Sequence, residues 1–200
     1  MAKILHIITS PRGEQSNSIK LGDAIIDRLR EKDPGAKVVI KNLATNPLPH
    51  LEESHLNAFG NHTENHTEAD KVAISHSNQA ISELMDADII VIGAPMYNFT
   101  LASTLKSWID HIARAGLTFK YTAHGPEGLV LGKKVYLAVA TGGVYSTGDY
   151  QAVDFLSPYL KFFLAFIGID DVTIIRAEGF AVAALKETAL DVAIDGIKIQ

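Results

Sequence analysis

Cysteine is absent from this 200-residue sequence. That excludes a thiol nucleophile, a dithiol redox pair, a disulfide and a Cys-ligated iron–sulfur cluster. Any redox chemistry must then be carried by a bound organic cofactor. Surplus positive charge is lacking too: 18 Lys and Arg face 23 Asp and Glu, a net charge of -5, which argues against a nucleic-acid surface. No apolar run is long enough to span a bilayer, and the densest, Phe155 to Ile169, is broken by Ser157, Pro158 and Lys161. Met1-Ala2-Lys3-Ile4-Leu5 enters a strand pattern with no signal-peptide character, so a cytoplasmic protein is expected. Three motifs are missing as well. Without G-x-x-x-x-G-K-[ST] there is no lysine for a γ-phosphate, without G-x-G-x-x-G no dinucleotide fingerprint, and without G-x-S-x-G no nucleophile elbow.

What is present has the composition of an ordinary globule, 47% hydrophobic and 20% charged, and its length suits one domain spanning 1–200. Strand patterns at 3–9, 37–43, 89–92, 134–140 and 171–176 alternate with helical patterns at 18–30, 70–85, 102–115, 155–168 and 181 onward. Ile89 to Ile92 has no polar alternation, as expected of a strand buried on both faces of a parallel sheet, and Gly93-Ala94-Pro95 is expected to end it. Right-handed crossovers then place helices on both sides. The fold class expected is α/β, a flavodoxin-like three-layer sandwich whose five-stranded parallel sheet has the order 2-1-3-4-5. The stretch 44–68 exceeds an ordinary loop and reads as an insertion serving as a lid, a dimer arm or both; 118–132 reads as an excursion or hairpin.

Three loops leave the carboxyl ends of the first, third and fourth strands, where open α/β sheets bind ligands. Ser10, Ser16, Asn17 and Ser18 lead into a helix whose N-terminus favours anions, which suits a phosphate; a plain N-cap explains the serines equally well. Met96-Tyr97-Asn98-Phe99, after Pro95, sets three large flat or apolar side chains around one amide. That suits a planar heterocycle such as a flavin, although an ordinary turn with core aromatics fits too. Ala140-Thr141-Gly142-Gly143 allows close backbone approach, and its N–H groups could face a flavin's pyrimidine end.

These loops, together with Leu105-Lys106-x-Trp108-Ile109-Asp110, Ala113-Arg114-Ala115-Gly116-x-Thr118-Phe119, Gly125-Pro126-Glu127-Gly128-Leu129, Pro158-Tyr159-Leu160 and Ala177-Glu178-Gly179, resemble the FMN-dependent NADH-azoreductases, flavodoxin-like quinone reductases, over nearly the whole chain. The resemblance implies a homodimer with non-covalent FMN and NADH as donor. Ser10, Ser16, Asn17 and Ser18 would hold the phosphate and ribityl chain. Pro95 to Phe99 would line the isoalloxazine, and Ala140 to Gly143 its pyrimidine end. Phe119 and Phe163 would stack on the substrate, one of them across the dimer. It also implies ping-pong transfer of two electrons to quinones or aromatic azo compounds, with protons from solvent or a hydroxyl such as that of Tyr145. Thr141 and Tyr145 stand where family members often carry Arg and His.

A flavodoxin-type one-electron carrier is the competing reading, but such carriers are more acidic and need an exposed flavin edge, whereas the long insertion and surplus aromatics argue for an enclosed pocket. His50, His55, His62, His66 and His76 cluster in or near the insertion; solvated loop histidines are expected there in preference to a metal site, which would need further ligands. His6 and His111 are expected to be structural. Phe155, Tyr159, Phe162, Phe163 and Phe166 exceed one helix stripe, so some should face a partner or a substrate.

Overall fold

The computed structural model describes residues 1–61 and 63–199. Among them, β1 (Lys3–Ile8), β2 (Lys37–Asn42), β3 (Ile89–Pro95), β6 (Lys134–Thr141) and β7 (Asp171–Glu178) form a parallel sheet, and β4 (Phe119–Thr122) pairs antiparallel with β5 (Gly125–Gly128). Helices α1 (Asn17–Lys32), α4 (Ser75–Asp86), α5 (Ser103–Ile112), α6 (Ser157–Phe166) and α7 (Ala189–Asp195) cover the sheet, and α2 (Glu53–Gly60) and α3 (Glu68–Ala73) belong to the long connection after β2. The sheet order is β2-β1-β3-β6-β7. It differs from the expected 2-1-3-4-5 because the hairpin at 119–128 contributes two strands that never join the sheet, which shifts the labels of the last two parallel strands.

Alternate residues on the central strands feed two separate cores. Leu5, Ile7, Ile90, Ile92, Ala94, Val135, Leu137 and Val139 pack beneath α4, α5 and α6, around the fully buried Trp108. Ile4, Val91, Tyr136 and Ala138 pack on the opposite side against Leu21, Ile25 and Leu29 of α1 and Ala193 of α7. A strand apolar at both parities therefore sits in the middle of the sandwich. No helix among the described residues is long and apolar enough to cross a membrane.

Three local expectations are corrected. Gly93, Ala94 and Pro95 do not end β3 but continue it, paired with Ala138, Val139 and Ala140. Pro95 is tolerated because β1 pairs no further than Ile7 with Ile92, so its missing N–H costs no ladder bond, while the next amide, Met96, donates to Ala140 across β6. The helix expected over 70–85 is two helices that meet at Ile74. The Ser75 hydroxyl bonds the Val72 carbonyl at 2.8 Å, and the break turns Ile74 into the interior. The terminal helix begins at Ala189 rather than Ala181, because Gly179 (φ +90°) redirects the chain and the Gly179, Phe180 and Ala181 amides bond carbonyls of Thr141, Gly142 and Gly143.

The hairpin docks on the end of α6 through glycines. A Cβ on Gly128 would lie 2.1 Å from the Gly168 backbone nitrogen. Val130 then donates to the Ile167 carbonyl. Gly128→Ala is therefore expected to cost about 2–3 kcal/mol, the scale of overpacking a closed interior, read as a lower midpoint in urea denaturation.

His6 points from β1 into α1, where its Nε2 closes on the space a Cβ at Gly22 would take. Burial lowers its pKa from 6.5 to about 4. In the folded state the ring is thus neutral where the unfolded chain would bind a proton. The contribution is full above pH 6.5 and declines as the pH falls toward 4, by an amount on the order of 3 kcal/mol. Stability measured at pH 7.5 and at pH 5 should fall with acid in the native protein, and this fall should shrink in His6→Gln.

Candidate functional site

The site lies at the carboxyl ends of β1, β3 and β6. From β1 the chain passes through a 3-10 turn (Gly13–Gln15) into α1, capped by Ser16, whose Oγ accepts from the Ile19 amide at 3.4 Å. Ser16 and Ser18 are both buried, with hydroxyls 3.1 Å apart, and the Ser10 Oγ accepts from the Arg12 amide. Hydroxyls grouped at the start of a helix, whose first-turn amides lack intrahelical partners, form an anion-binding donor set.

After Pro95, Tyr97 and Thr100 exchange both backbone hydrogen bonds, at 2.9 and 3.0 Å, across a two-residue turn. Asn98 (φ +47°) and Phe99 (φ +70°) both occupy the left-handed region, as a type I′ turn demands. Asn accepts that region readily; an aromatic residue there is uncommon. The turn leaves Asn98 and Phe99 exposed, and the Phe99 ring meets Tyr145 edge-on at 6.4 Å.

The third loop is shaped from β7. The Thr141 Oγ1 donates to the Gly143 carbonyl at 2.7 Å, Gly179 donates to the Thr141 and Gly143 carbonyls, and the Glu178 Oε1 accepts from the Tyr145 amide at 2.9 Å. A Cβ on Gly143 would lie 3.2 Å from the Tyr145 ring.

The three loops meet. Ser10, Ser16, Asn17, Ser18, Pro95, Met96, Tyr97, Ala140, Thr141 and Gly142 border a cavity of about 110 Å³. Arg12 and Phe180 also line it. Neither was a candidate on sequence alone: no local pattern aims Arg12 at the site, and nothing in the sequence places Phe180, at the end of β7, beside β6. Past Tyr97 and Asn98, a second cavity of about 1020 Å³ runs along α5 to His50, Asp154, Phe155, Pro158 and Tyr159.

Phe119 and Phe163 do not join this group. Phe163 is buried in the core under α6, and Phe119 packs at 4.6 Å on Phe166, since the hairpin closes over that end of the helix. Phe155 and Phe162, by contrast, are exposed.

The 44–68 stretch carries a helix and docks through histidines. His111, fully buried on α5, bonds the Pro49 carbonyl through Nε2 at 2.9 Å and meets the buried His55 ring at 5.1 Å. Burial is the main cause that lowers the His111 pKa. His55 Nδ1 accepts from the Glu52 amide, His66 Nε2 lies 3.0 Å from the Ala58 carbonyl, and His50 Nδ1 lies 3.3 Å from the Ser107 Oγ. His62 lies outside the described residues. Among the described residues, no three His, Asp or Glu stand where they could hold a metal ion.

With this geometry in hand, residues 2–198 match the family model described as "Flavodoxin-like fold". An FMN-dependent NADH:quinone oxidoreductase of Herminiimonas arsenicoxydans is 50% identical over 184 residues, 92% of this chain and 90% of that one. This chain belongs to that flavodoxin-like quinone reductase family. Among solved structures, azoreductase from Bacillus anthracis str. Sterne is similar at TM-score 0.90 and 31% identity, covering 98% of this chain and 96% of that one. An FMN-dependent NADH-azoreductase from Bacillus anthracis str. Ames Ancestor, in complex with FMN, aligns at TM-score 0.86 and 29% identity over 96% and 94% of the two chains.

The tight turn makes its own demand on sequence. Asn98→Gly should keep or raise the melting temperature, whereas Asn98→Val, a β-branched residue forced to positive φ, should lower it by about 2–8 °C for a loss of about 1–2 kcal/mol. Thermal melts of the two variants check this.

Proposed function

We propose that this chain is an FMN-dependent NADH:quinone oxidoreductase that also cleaves aromatic azo compounds, working as a cytoplasmic homodimer built from one FMN-binding domain per chain. The observation that carries the reading is the meeting of three loops at one crevice: a buried hydroxyl-rich helix start, an apolar strained turn and a glycine loop. The donor set fits a flavin mononucleotide. Ser10, Ser16, Asn17 and Ser18, with the first amides of α1, would hold the phosphate and ribityl chain. Pro95, Met96, Tyr97, Asn98 and Phe99 would lie along the ring system, and Ala140, Thr141, Gly142 and Gly143 would face its pyrimidine end.

FMN bound there would supply two-electron redox chemistry between NADH as donor and an acceptor. The chain's own contribution is orientation, stacking and exclusion of water. A quinone needs two electrons and two protons to become a hydroquinone. Cleaving an azo bond to two amines needs four electrons and four protons, hence two rounds with NADH. The Tyr145 hydroxyl, on a ring that meets Phe99 edge-on, is one group from which a proton could come, with solvent the other. Phe99, Tyr121, Phe155 and Phe162 are exposed in the single chain, and large aromatic side chains left in water favour association with a second copy.

The purified protein should show flavin absorption bands that bleach on adding NADH without oxygen and return on adding a quinone. Bands that persist with NADH would contradict the reductase reading, and no bands even after FMN is supplied would contradict the site. Ser16→Asp separates binding from folding. Aspartate caps a helix as well as serine, so the fold should persist, but its charge repels a phosphate and FMN affinity should fall about 100-fold. Fluorescence titration with FMN reads this directly.

A further inference from the structure

If the chain is a quinone reductase, Arg176 on β7 acquires a role beyond packing: it reaches both ends of one loop without entering either cavity. Its Nη2 donates to the Asp154 Oδ2 and to the Ser157 Oγ, each at 2.7 Å, and its Nη1 lies 3.5 Å from the Glu178 Oε1. Each carboxylate has a second task. Asp154, almost fully buried, accepts the Leu156 and Ser157 amides through Oδ1 at 3.0 Å each, which seats the start of α6. Burial opposes its ionisation, but the Ser157 amide and hydroxyl and the Arg176 guanidinium hold its pKa below the usual carboxylate range. Glu178 accepts the Tyr145 amide. One cation therefore braces the beginning of the 142–155 loop through Glu178 and its end through Asp154.

Between those anchors the loop carries Tyr145 and Tyr150 and ends beside the larger cavity. Tyr145 abuts Phe99 on one side and Tyr150, at 6.0 Å, on the other. The Phe155 amide donates to the Phe99 carbonyl at 3.1 Å, and Asp154 and Phe155 line the larger cavity beside Tyr97 and Asn98. The planar fork of an arginine spans two carboxylates at once, which a point charge on a flexible stem does less well. Loops with few apolar anchors open at low free-energy cost, so such a brace decides how often this one opens.

We propose that Arg176 is a positioning residue that clamps the 142–155 loop through Asp154 and Glu178, and that this clamp limits the size of the quinone admitted to the crevice. The loop contains no Lys or Arg but carries Tyr145, Tyr150 and Phe155, and Tyr150 is exposed, so chymotrypsin reports its opening without reference to turnover. On the full-length protein, cleavage after Tyr150 should run about tenfold faster in Arg176→Gln than in the native chain, with Arg176→Lys in between. Glu178→Ala, which frees only the Tyr145 end, should also accelerate it. In steady-state assays the kcat/KM ratio for a naphthoquinone over a benzoquinone should rise about fivefold in Arg176→Gln and Glu178→Ala, through KM rather than kcat.

Unchanged cleavage in Arg176→Gln and Glu178→Ala would overturn the clamp. Faster cleavage with an unchanged acceptor ratio would overturn its role in selection. Should Arg176→Gln fail to fold, Glu178→Ala decides the matter by the same two readings. If the native protein reduces neither quinone, the quinone reductase reading falls and acceptor selection with it, while the cleavage rates still judge the clamp.

Discussion

Burial of the central strands on both faces is the constraint from which the rest of this molecule follows. β1, β3 and β6 carry apolar side chains at both parities, so neither face of the sheet can host a polar ligand. What remains is their carboxyl edge, where the backbone ladders run out and loops begin. His6, the imidazole buried in β1, illustrates the cost: enclosed against α1, it is driven toward the neutral form. Polar chemistry is thereby concentrated where β1, β3 and β6 end side by side.

At that edge, local geometry is imposed by neighbours far away in sequence. Asn98 and Phe99 keep positive φ angles because Tyr97 and Thr100 pair across them and the Phe155 amide binds the Phe99 carbonyl. Gly142 and Gly143 hold their shape because the chain leaving β7 bonds their carbonyls. β7 thus acts less as a sheet edge than as a brace, and Arg176, with a carboxylate on either side, extends that brace to the start of α6. A ligand crevice built this way has rigid walls and one adjustable cover.

The strands and the three loops were legible in the sequence because both rest on short-range signals. Ile89 to Ile92 has no polar alternation, Ser16 precedes a helical stripe, and Gly142-Gly143 follows an apolar run. Failures fall where a contact distant in sequence overrides a local preference. Pro95 stays in β3 since its neighbour strand has already ended. The helix over 70–85 breaks since Ile74 is drawn into the core. Helix formation after β7 is delayed to Ala189 since amides 179–181 are already spent on the glycine loop. For Phe119 and Phe163 the sequence reports only that they are apolar and not which neighbour covers them; within one chain Phe119 packs on Phe166 and Phe163 sits in the core.

By itself, the sequence determined the α/β class, the parallel sheet, the exclusion of thiol chemistry and which three loops follow β1, β3 and β6. Those depend on periodicity, glycine and proline stereochemistry and the absence of a residue type, all of which act within a few positions. Tertiary structure alone decided that Phe180 and Arg12 border the small cavity, that the long connection docks on α5 through His55 and His111, and that Arg176 joins both ends of the loop over the crevice. These are pairings between residues tens of positions apart, set by which strands lie side by side, and no local pattern records them.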